Sequence, residues 1–437
     1  MPLRLEGGNL KDFLKEIPGF KLCKTFKDAT VITKYLGLKY LWIDSLCIIQ
    51  NDPEDWRRES VKMGGVYGSA TINIAATSAS DGTMGCFPTR PWKLRLPVRL
   101  HDRTTFGDFS SQLPYKNLDN EPLRCRAWTF QERFLPLRTL HFTNSQVFWE
   151  CNGTVACETF PDLTQLMDPA IYAQSTDYQT LFDLWKEAVN QYSRGKLTYA
   201  KDKLIAVCGV AKWFQNRMKD DYFAGMWRQN LEKQLCWRTD KNFWGYDIYR
   251  DTRSTEYLAP SWSWASIESH VQFRSLMWEP VWDEGAKTQI HVHSIKTILE
   301  NEDNPLGPVR GGNLRLVVSK LACGLEITDR NSKEFGYIVS PNNTTILADN
   351  HMHWDFPKEA RGMLYLLPIL HLPEKTPPHR TFEEGIILEA TDQFKRGEYK
   401  RIGYYFFELK VPHEECSELA YEEVIENGEK LHIINIV

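Results

Sequence analysis

A glutamate standing where an apolar side chain belongs is the first chemical signal in this chain. Trp56, Met63, Val66 and Ala70 recur at helical spacing and mark an apolar stripe. Glu59 and Ser60 fall on the same stripe, one turn from Trp56 and from Met63. A carboxylate turned toward a core is unfavourable unless it is paired or does chemistry. Glu59 is therefore either bound to a nearby arginine, or set at the rim of the stripe, or functional. A second signal lies in residues 126–132 (RAWTFQE), where Arg126 and Glu132 are the charged members of an otherwise apolar block. On a helix, Trp128, Gln131, Glu132 and Leu135 share one face. Arg126 either makes a structural pair with Glu132 or Glu59, or presents its two-pronged guanidinium to a phosphate. Asp44 and Ser45 follow a strongly apolar run, at the carboxyl end of an expected strand, where parallel α/β sheets place ligands. Asp44 serves equally well as a cap for the neighbouring helix. Gln50 binds a ligand amide or closes the turn that follows.

Other chemistry is thinner. Cys47 lies in an apolar run (SLCII) with no histidine close in sequence, which suits a core thiol better than a nucleophile. His291 with His293, and His351 with His353, place two imidazoles on one strand face, but no third ligand has metal-site spacing, so no metal is expected. The phosphate loop, dinucleotide-binding and serine-hydrolase motifs are missing. Gly64 and Gly65 interrupt the Trp56 helix, which calls for a kink or a close backbone approach.

The elements that would position these groups follow from periodicity. Leu10, Phe13, Leu14 and Ile17 predict a helix stopped by Pro18 and Gly19; residues 25–36 predict a second, capped by Gly37. Residues 39–49 (KYLWIDSLCII) read as a buried parallel strand, 54–67 as a helix, and 71–76 (TINIAA) as the next strand. That alternation predicts an α/β unit. Residues 82–122 read as a long surface excursion, and helix and strand return at 126–134 and 138–151. Residues 177–237 are mostly helical by pattern. Short alternating runs after Pro260 (residues 289–295, 314–318, 363–369, 385–388 and 402–409) predict a β-rich domain. The expected division is 1–158, 159–258 and 259–437.

Composition narrows the partners. The chain has 437 residues, 42% of them hydrophobic and 25% charged, as in ordinary globular proteins. A net charge of −4 offers no general attraction to nucleic acid, and the one basic run, residues 90–99 (RPWKLRLPVR), reads as a solvated loop. The ten cysteines form no C-x-x-C pair and sit in apolar runs, which points to reduced thiols and a cytoplasmic location. No apolar run is long enough to span a membrane, and the first residues do not read as a secretion signal.

Several blocks, in order, resemble the fungal heterokaryon-incompatibility (HET) domain family. They are residues 40–50 (YLWIDSLCIIQ), 55–60 (DWRRES), 66–70 (VYGSA), 74–79 (IAATSA), 85–87 (GCF), 126–132 (RAWTFQE) and 147–151 (VFWEC). Further blocks resemble the extension that often follows that domain: YS at 192–193 with LT at 197–198, DKL at 202–204, AGMW at 224–227 and APSWSWA at 259–265. The family's usual opening strand, of the type Tyr-x-x-Leu-Ser-Tyr-x-Trp-Gly, has no counterpart before Leu10, which implies an incomplete N-terminus of the domain. The resemblance implies kinship with Toll/interleukin-1 receptor (TIR) domains, that is, a flavodoxin-like parallel sheet followed by a helical segment and the β-rich C-terminal domain.

It also implies a role in fungal non-self recognition and programmed cell death, with NAD as a possible substrate and no cofactor required. In TIR-like enzymes a helical glutamate cleaves the nicotinamide–ribose bond, and Glu59 is the matching position. A carboxylate suits that reaction because it can stabilise an oxocarbenium-like charge. Asp44, Ser45, Gln50, Trp56, Arg126, Trp128 and Glu132 are the expected substrate contacts. Two other readings stand beside this one: a signalling module that works by protein partnership or self-association, and an enzyme or binder reassigned to a small molecule of secondary metabolism.

Overall fold

A computed structural model describes residues 2–89, 118, 121–151, 154–158, 175–239, 254, 256–273, 286–319, 321–328, 336–339, 345–348, 352–355, 363–373, 381–391, 397–408, 422–426 and 429–437. The chain divides into two units. The first comprises residues 1–184, 195–197 and 205–218; the second comprises 185–194, 198–204 and 219–437. The basic run at 90–99, most of the excursion, and His351 lie outside the described residues.

The first unit opens with α1 (Leu10–Phe13) and α2 (Lys24–Tyr35), close to where periodicity puts them. Only Ala29, Ile32 and Thr33 of α2 are buried, so that helix packs through one narrow face. The expected parallel strand at 39–49 is not formed. Residues 39–43 carry no strand pairing, Tyr40 is exposed, and Asp44–Cys47 forms a single helical turn, α3. The reason is where the backbone groups find partners. Cys47 and Ile48 donate to the carbonyls of Ile43 and Asp44, Leu5 donates to the Ser45 carbonyl, and Gln50 donates back to Leu5. The Ile49 amide is taken by the Asp55 carboxylate at 2.8 Å. With those amides satisfied by a turn, the N-terminal segment and a side chain, no ladder is needed. Cys47, expected in a core, is exposed in consequence.

Helix α4 (Pro53–Ser69) begins at Asp52, whose side chain accepts from the amides of Glu54 and Asp55, with Pro53 in the first turn. It runs unbroken through Gly64 and Gly65. A Cβ on Gly64 would lie 2.9 Å from the Cα of Gly209, so this glycine serves a close backbone approach rather than a kink. Strand β1 (Asn73–Ala75) follows. After α5 (Trp128–Phe134) come β2 (Arg138–Phe142), β3 (Val147–Cys151) and β4 (Thr154–Cys157). They form a sheet in the order β1-β2-β3-β4, in which only β1 and β2 run parallel. The α/β character stands. The flavodoxin-like parallel sheet does not appear among the described residues, because its expected first member is a turn. Ile32, Cys86 and Phe142 form a core against Ile74, Leu140 and Val147. Beside it, Arg133 clamps Glu150 through two bonds of 2.7 and 2.8 Å, and Glu150 also meets His141 at 2.9 Å. Burial alone would raise the Glu150 carboxyl, but Arg133 and His141 hold it well below the usual range.

Helix α6 (Tyr178–Ser193) crosses the division, and α7 (Cys208–Met218) belongs to the first unit. The second unit contains the short pieces β5 (Tyr222–Phe223), β6 (Met226–Trp227), α8 (Leu231–Gln234), β7 (Arg238–Thr239), β8 (Val271–Gln272) and β9 (Lys287–Thr288). Longer strands follow: β10 (Ile290–Leu299), β11 (Val309–Val318), β12 (Ala322–Thr328), β13 (Gly336–Val339), β14 (Thr345–Ala348), β15 (Met352–Trp354), β16 (Met363–Pro373), β17 (Thr381–Ala390), β18 (Glu398–Glu408), β19 (Glu422–Glu426) and β20 (Glu429–Ile436). They build one large sheet along the path β10-β11-β20-β18-β17-β16-β12-β13-β14, so the β-rich C-terminal region is present. β18 and β20 are its parallel pair; its other pairings are antiparallel.

The tryptophan-rich block at 259–265 is core. Trp262 and Trp264 are fully buried, and the Trp264 indole donates to the Gly225 carbonyl at 2.7 Å. A Cβ on Gly225 would lie 2.7 Å from that indole nitrogen, and its φ of +97° also demands glycine. Trp237 donates to the Trp262 carbonyl at 3.0 Å.

Candidate functional site

The site grows from one face of α4 and the short helix α5. Trp56, Ser60, Met63 and Tyr67 succeed one another at spacings of three and four, so they line a single stripe. Ser60 and Met63 are buried, whereas Trp56 and Tyr67, at the two ends, are half-buried. Helix α5 brings Trp128 beside Trp56, with ring centroids 6.3 Å apart and the planes nearly perpendicular. One turn further along α5 is Glu132, and at the other end of the α4 stripe is Tyr67. The Tyr67 hydroxyl donates to the Glu132 carboxyl. Tyr67 also stands edge-on to Trp42 at 5.6 Å.

The frame around Glu132 is fixed by buried amide chemistry. The neighbouring Gln131 is fully buried, and its carbonyl accepts from the Gly209 amide at 2.9 Å. The Glu132 backbone carbonyl accepts from the Asn73 side chain at 2.9 Å. Ahead of the helix, the Ala127 amide donates to the Lys196 carbonyl and the Lys196 amide to that of Cys125, which pins the backbone on both sides of Arg126. Asp44 is held at the start of α3, its carboxylate accepting from the Ser45 amide at 2.6 Å.

The electrostatics around Glu132 are unbalanced. The Glu132 carboxyl is raised to about 7, first by desolvation and then by the negative charge of Asp44; Arg126 and the Tyr67 hydrogen bond oppose that rise. The residue as a whole is half-buried. Tyr67 is pushed well above the ordinary phenol range by desolvation, the charges of Glu132 and Asp44, and its bond to Glu132, so it remains a donor. A carboxyl that changes charge near neutrality can take or give a proton during turnover. A second acid close enough to push it there is the arrangement by which two carboxyl groups divide acid and base roles.

Of the expected residues, the structure brings Asp44 and Arg126 near enough to act on the Glu132 charge, and sets Trp128 against Trp56. It does not add Glu59 to them. Glu59 pairs with Lys62 at 2.8 Å and with Arg58 at 3.2 Å, and the Lys62 bond before all else holds its carboxyl below the usual range. Glu59 is half-buried there, paired first with Lys62 and then with Arg58. Gln50 donates to the Ile48 carbonyl at 2.9 Å across its turn. The Ser45 hydroxyl is enclosed and makes no hydrogen bond. Tyr67 was missed because the stripe had been traced through Val66. The signal was available: Trp56, Ser60, Met63 and Tyr67 keep a steadier period than the stripe ending at Val66 and Ala70.

Residues 8–132 match the family model described as heterokaryon incompatibility protein (HET), so that stretch of the chain is a HET domain. Trp42, Asp44, Tyr67, Arg126, Trp128 and Glu132 all lie within it. No curated protein and no solved structure matches the chain. No helix among the described residues is long and apolar enough to cross a membrane, and no group of three His, Cys, Asp or Glu side chains among them is placed to hold a metal ion.

Proposed function

We propose that this chain acts in heterokaryon incompatibility and the cell death that accompanies it, and that its HET domain is a hydrolase for the nicotinamide–ribose bond of NAD, centred on Glu132. One observation carries the reading: a carboxyl group beside Asp44, Arg126 and the Tyr67 hydroxyl, poised near neutral pH by desolvation and a second acid. Asp44 supplies negative charge to an oxocarbenium-like ribose as the C–N bond breaks. Nicotinamide leaves with the bonding electron pair as a neutral molecule. Water adds through its oxygen to the ribose carbon, and its proton passes to ionised Glu132, which returns it to solvent. Tyr67 orients Glu132, Arg126 offers a fork to the diphosphate, and Trp56 with Trp128 gives the flat rings a surface.

The experiment is nicotinamide release by the full chain, wild type beside Glu132→Gln and Glu59→Ala. Loss of about 10²-fold or more in Glu132→Gln, with Glu59→Ala close to wild type, is the expected result. An inert wild type at high protein concentration, or an active Glu132→Gln, overturns the hydrolase reading.

A further inference from the structure

The outward face of α2 departs from what a solvated helix should show. Ala29, Ile32 and Thr33 face inward. On the opposite side Lys27, Val31, Lys34 and Tyr35 form a ridge at spacings of three and four. Val31 is 59% exposed and Tyr35 90%. The ridge continues onto the preceding turn, where the Lys27 ammonium donates to the Phe20 carbonyl at 3.2 Å and Lys21 stands 5.8 Å over the Phe20 ring. Phe20 is itself 78% exposed. Three large apolar side chains thus stand in solvent among three lysines. The wider stretch, residues 10–40, holds seven lysines against three acidic residues, in a chain whose net charge is −4. The stretch is therefore net positive in a chain that is net negative.

From this we infer that the Phe20–Tyr35 ridge docks on an anionic lipid surface. Charge decides the class of partner. A second copy meeting the same face about a two-fold axis would bring lysines against lysines, which opposes association. An anionic bilayer accepts both features at once: lysine heads sit among the headgroups with their stems lying along the apolar side chains, while Phe20, Val31 and Tyr35 enter the interfacial layer. Such contact is peripheral and needs no spanning helix. It is also independent of any chemistry at Glu132.

Co-sedimentation of the full chain with phosphatidylcholine vesicles, with and without phosphatidylserine, tests the inference. Wild type should partition at least tenfold better onto the phosphatidylserine vesicles, and raised salt should weaken that binding. Lys27→Glu with Lys34→Glu should lose it about tenfold or more. Phe20→Ser with Val31→Ser and Tyr35→Ser should lose it while keeping the wild-type melting curve, since those side chains are exposed. Equal binding to both vesicle types, or variants that bind like wild type, would overturn it. So would a concentration-dependent dimer in solution that either variant abolishes, which would make a second copy the partner.

Discussion

Both units take charged groups out of water, and the groups differ in what surrounds them. One set in the second unit is enclosed and partnered, as Glu150 is by Arg133 and His141 in the first. Arg401 pairs with Asp355 at 3.0 Å and stacks over Trp237, Glu383 receives Tyr405 at 3.1 Å and meets His371 at 2.9 Å, and Glu384 receives Tyr404 at 3.0 Å. In the first unit, Glu132 is desolvated beside another acid. Burial of a charge does not by itself make a site. An enclosed, matched charge specifies packing, whereas one desolvated beside a like charge can change its proton occupancy near neutral pH.

Removing the Glu132 carboxyl tests that contrast most severely. Glutamine keeps an oxygen for the Tyr67 donor but cannot take a proton, so nicotinamide release should fall by about 10²- to 10⁴-fold. Wild-type activity should rise with pH through about 7 as the carboxyl ionises. Stability should move the other way. The folded carboxyl holds its proton up to about 7, while the unfolded one releases it near its ordinary 4.5, so wild-type stability declines as pH rises between those values. Glu132→Gln should remove that decline in thermal melts from pH 5 to 8. A variant that loses activity but keeps the wild-type pH slope would separate the two effects.

Breaking a matched pair should do the opposite: cost stability and leave the HET-domain chemistry alone. Arg401→Met leaves the Asp355 carboxylate enclosed without its cation, and urea unfolding of the second unit should weaken by about 3–5 kcal/mol. Asp355→Asn with Arg401→Met should recover part of that loss, because neither charge then remains. A double variant as weak as the single one would mean that the packing of Arg401 on Trp237, rather than its charge, holds the region.

How far sequence could lead differs between the units for the same physical reason. Helices α2 and α4, the strands after Pro260 and the order of the HET blocks were all legible, because periodicity, capping residues and turn residues act locally. The run at 39–49 misled because apolar composition cannot report where backbone amides bond; Asp55 and Leu5 take them, and neither contact is local in pattern. Glu59 and Glu132 were both visible as acids in apolar blocks. Only the fold shows that one meets Lys62 and Arg58 while the other meets Tyr67 and Asp44. Lys203, in the DKL block, carried no visible sign of its burial beneath Trp264.

That lysine gives the third test. Its ammonium lies 5.6 Å from the Trp264 ring and donates to the Ile267 carbonyl, and desolvation lowers it from an ordinary 10.5 to about 7, against the pull of Glu268. The unfolded chain keeps this proton up to pH 10.5, while the folded chain releases it near 7. Stability therefore rises with pH across that window, with a slope approaching about 1.4 kcal/mol per pH unit, and is at its lowest below 7. Lys203→Met should flatten the difference between melts at pH 7 and pH 9 and be no less stable at pH 7. A variant with the wild-type slope would assign it to another group.

The smallest expected effect belongs to the residue that sequence put first. Glu59 makes two ion pairs on a helix surface, and its side chain keeps 28% of its exposure. Such pairs contribute well under about 1 kcal/mol each once solvent screening is counted. Its carboxyl is lowered in the folded state, so its contribution is present above the ordinary 4.5 and is lost as pH falls through the folded value. Glu59→Ala should therefore melt slightly below wild type at pH 7, and the gap should close in acid and in about 1 M salt. Nicotinamide release should stay within about twofold of wild type if Glu132 is the centre. A collapse of activity in Glu59→Ala, with its melt nearly unchanged, would return the catalytic role to Glu59 and make the Glu132 site a place for binding alone.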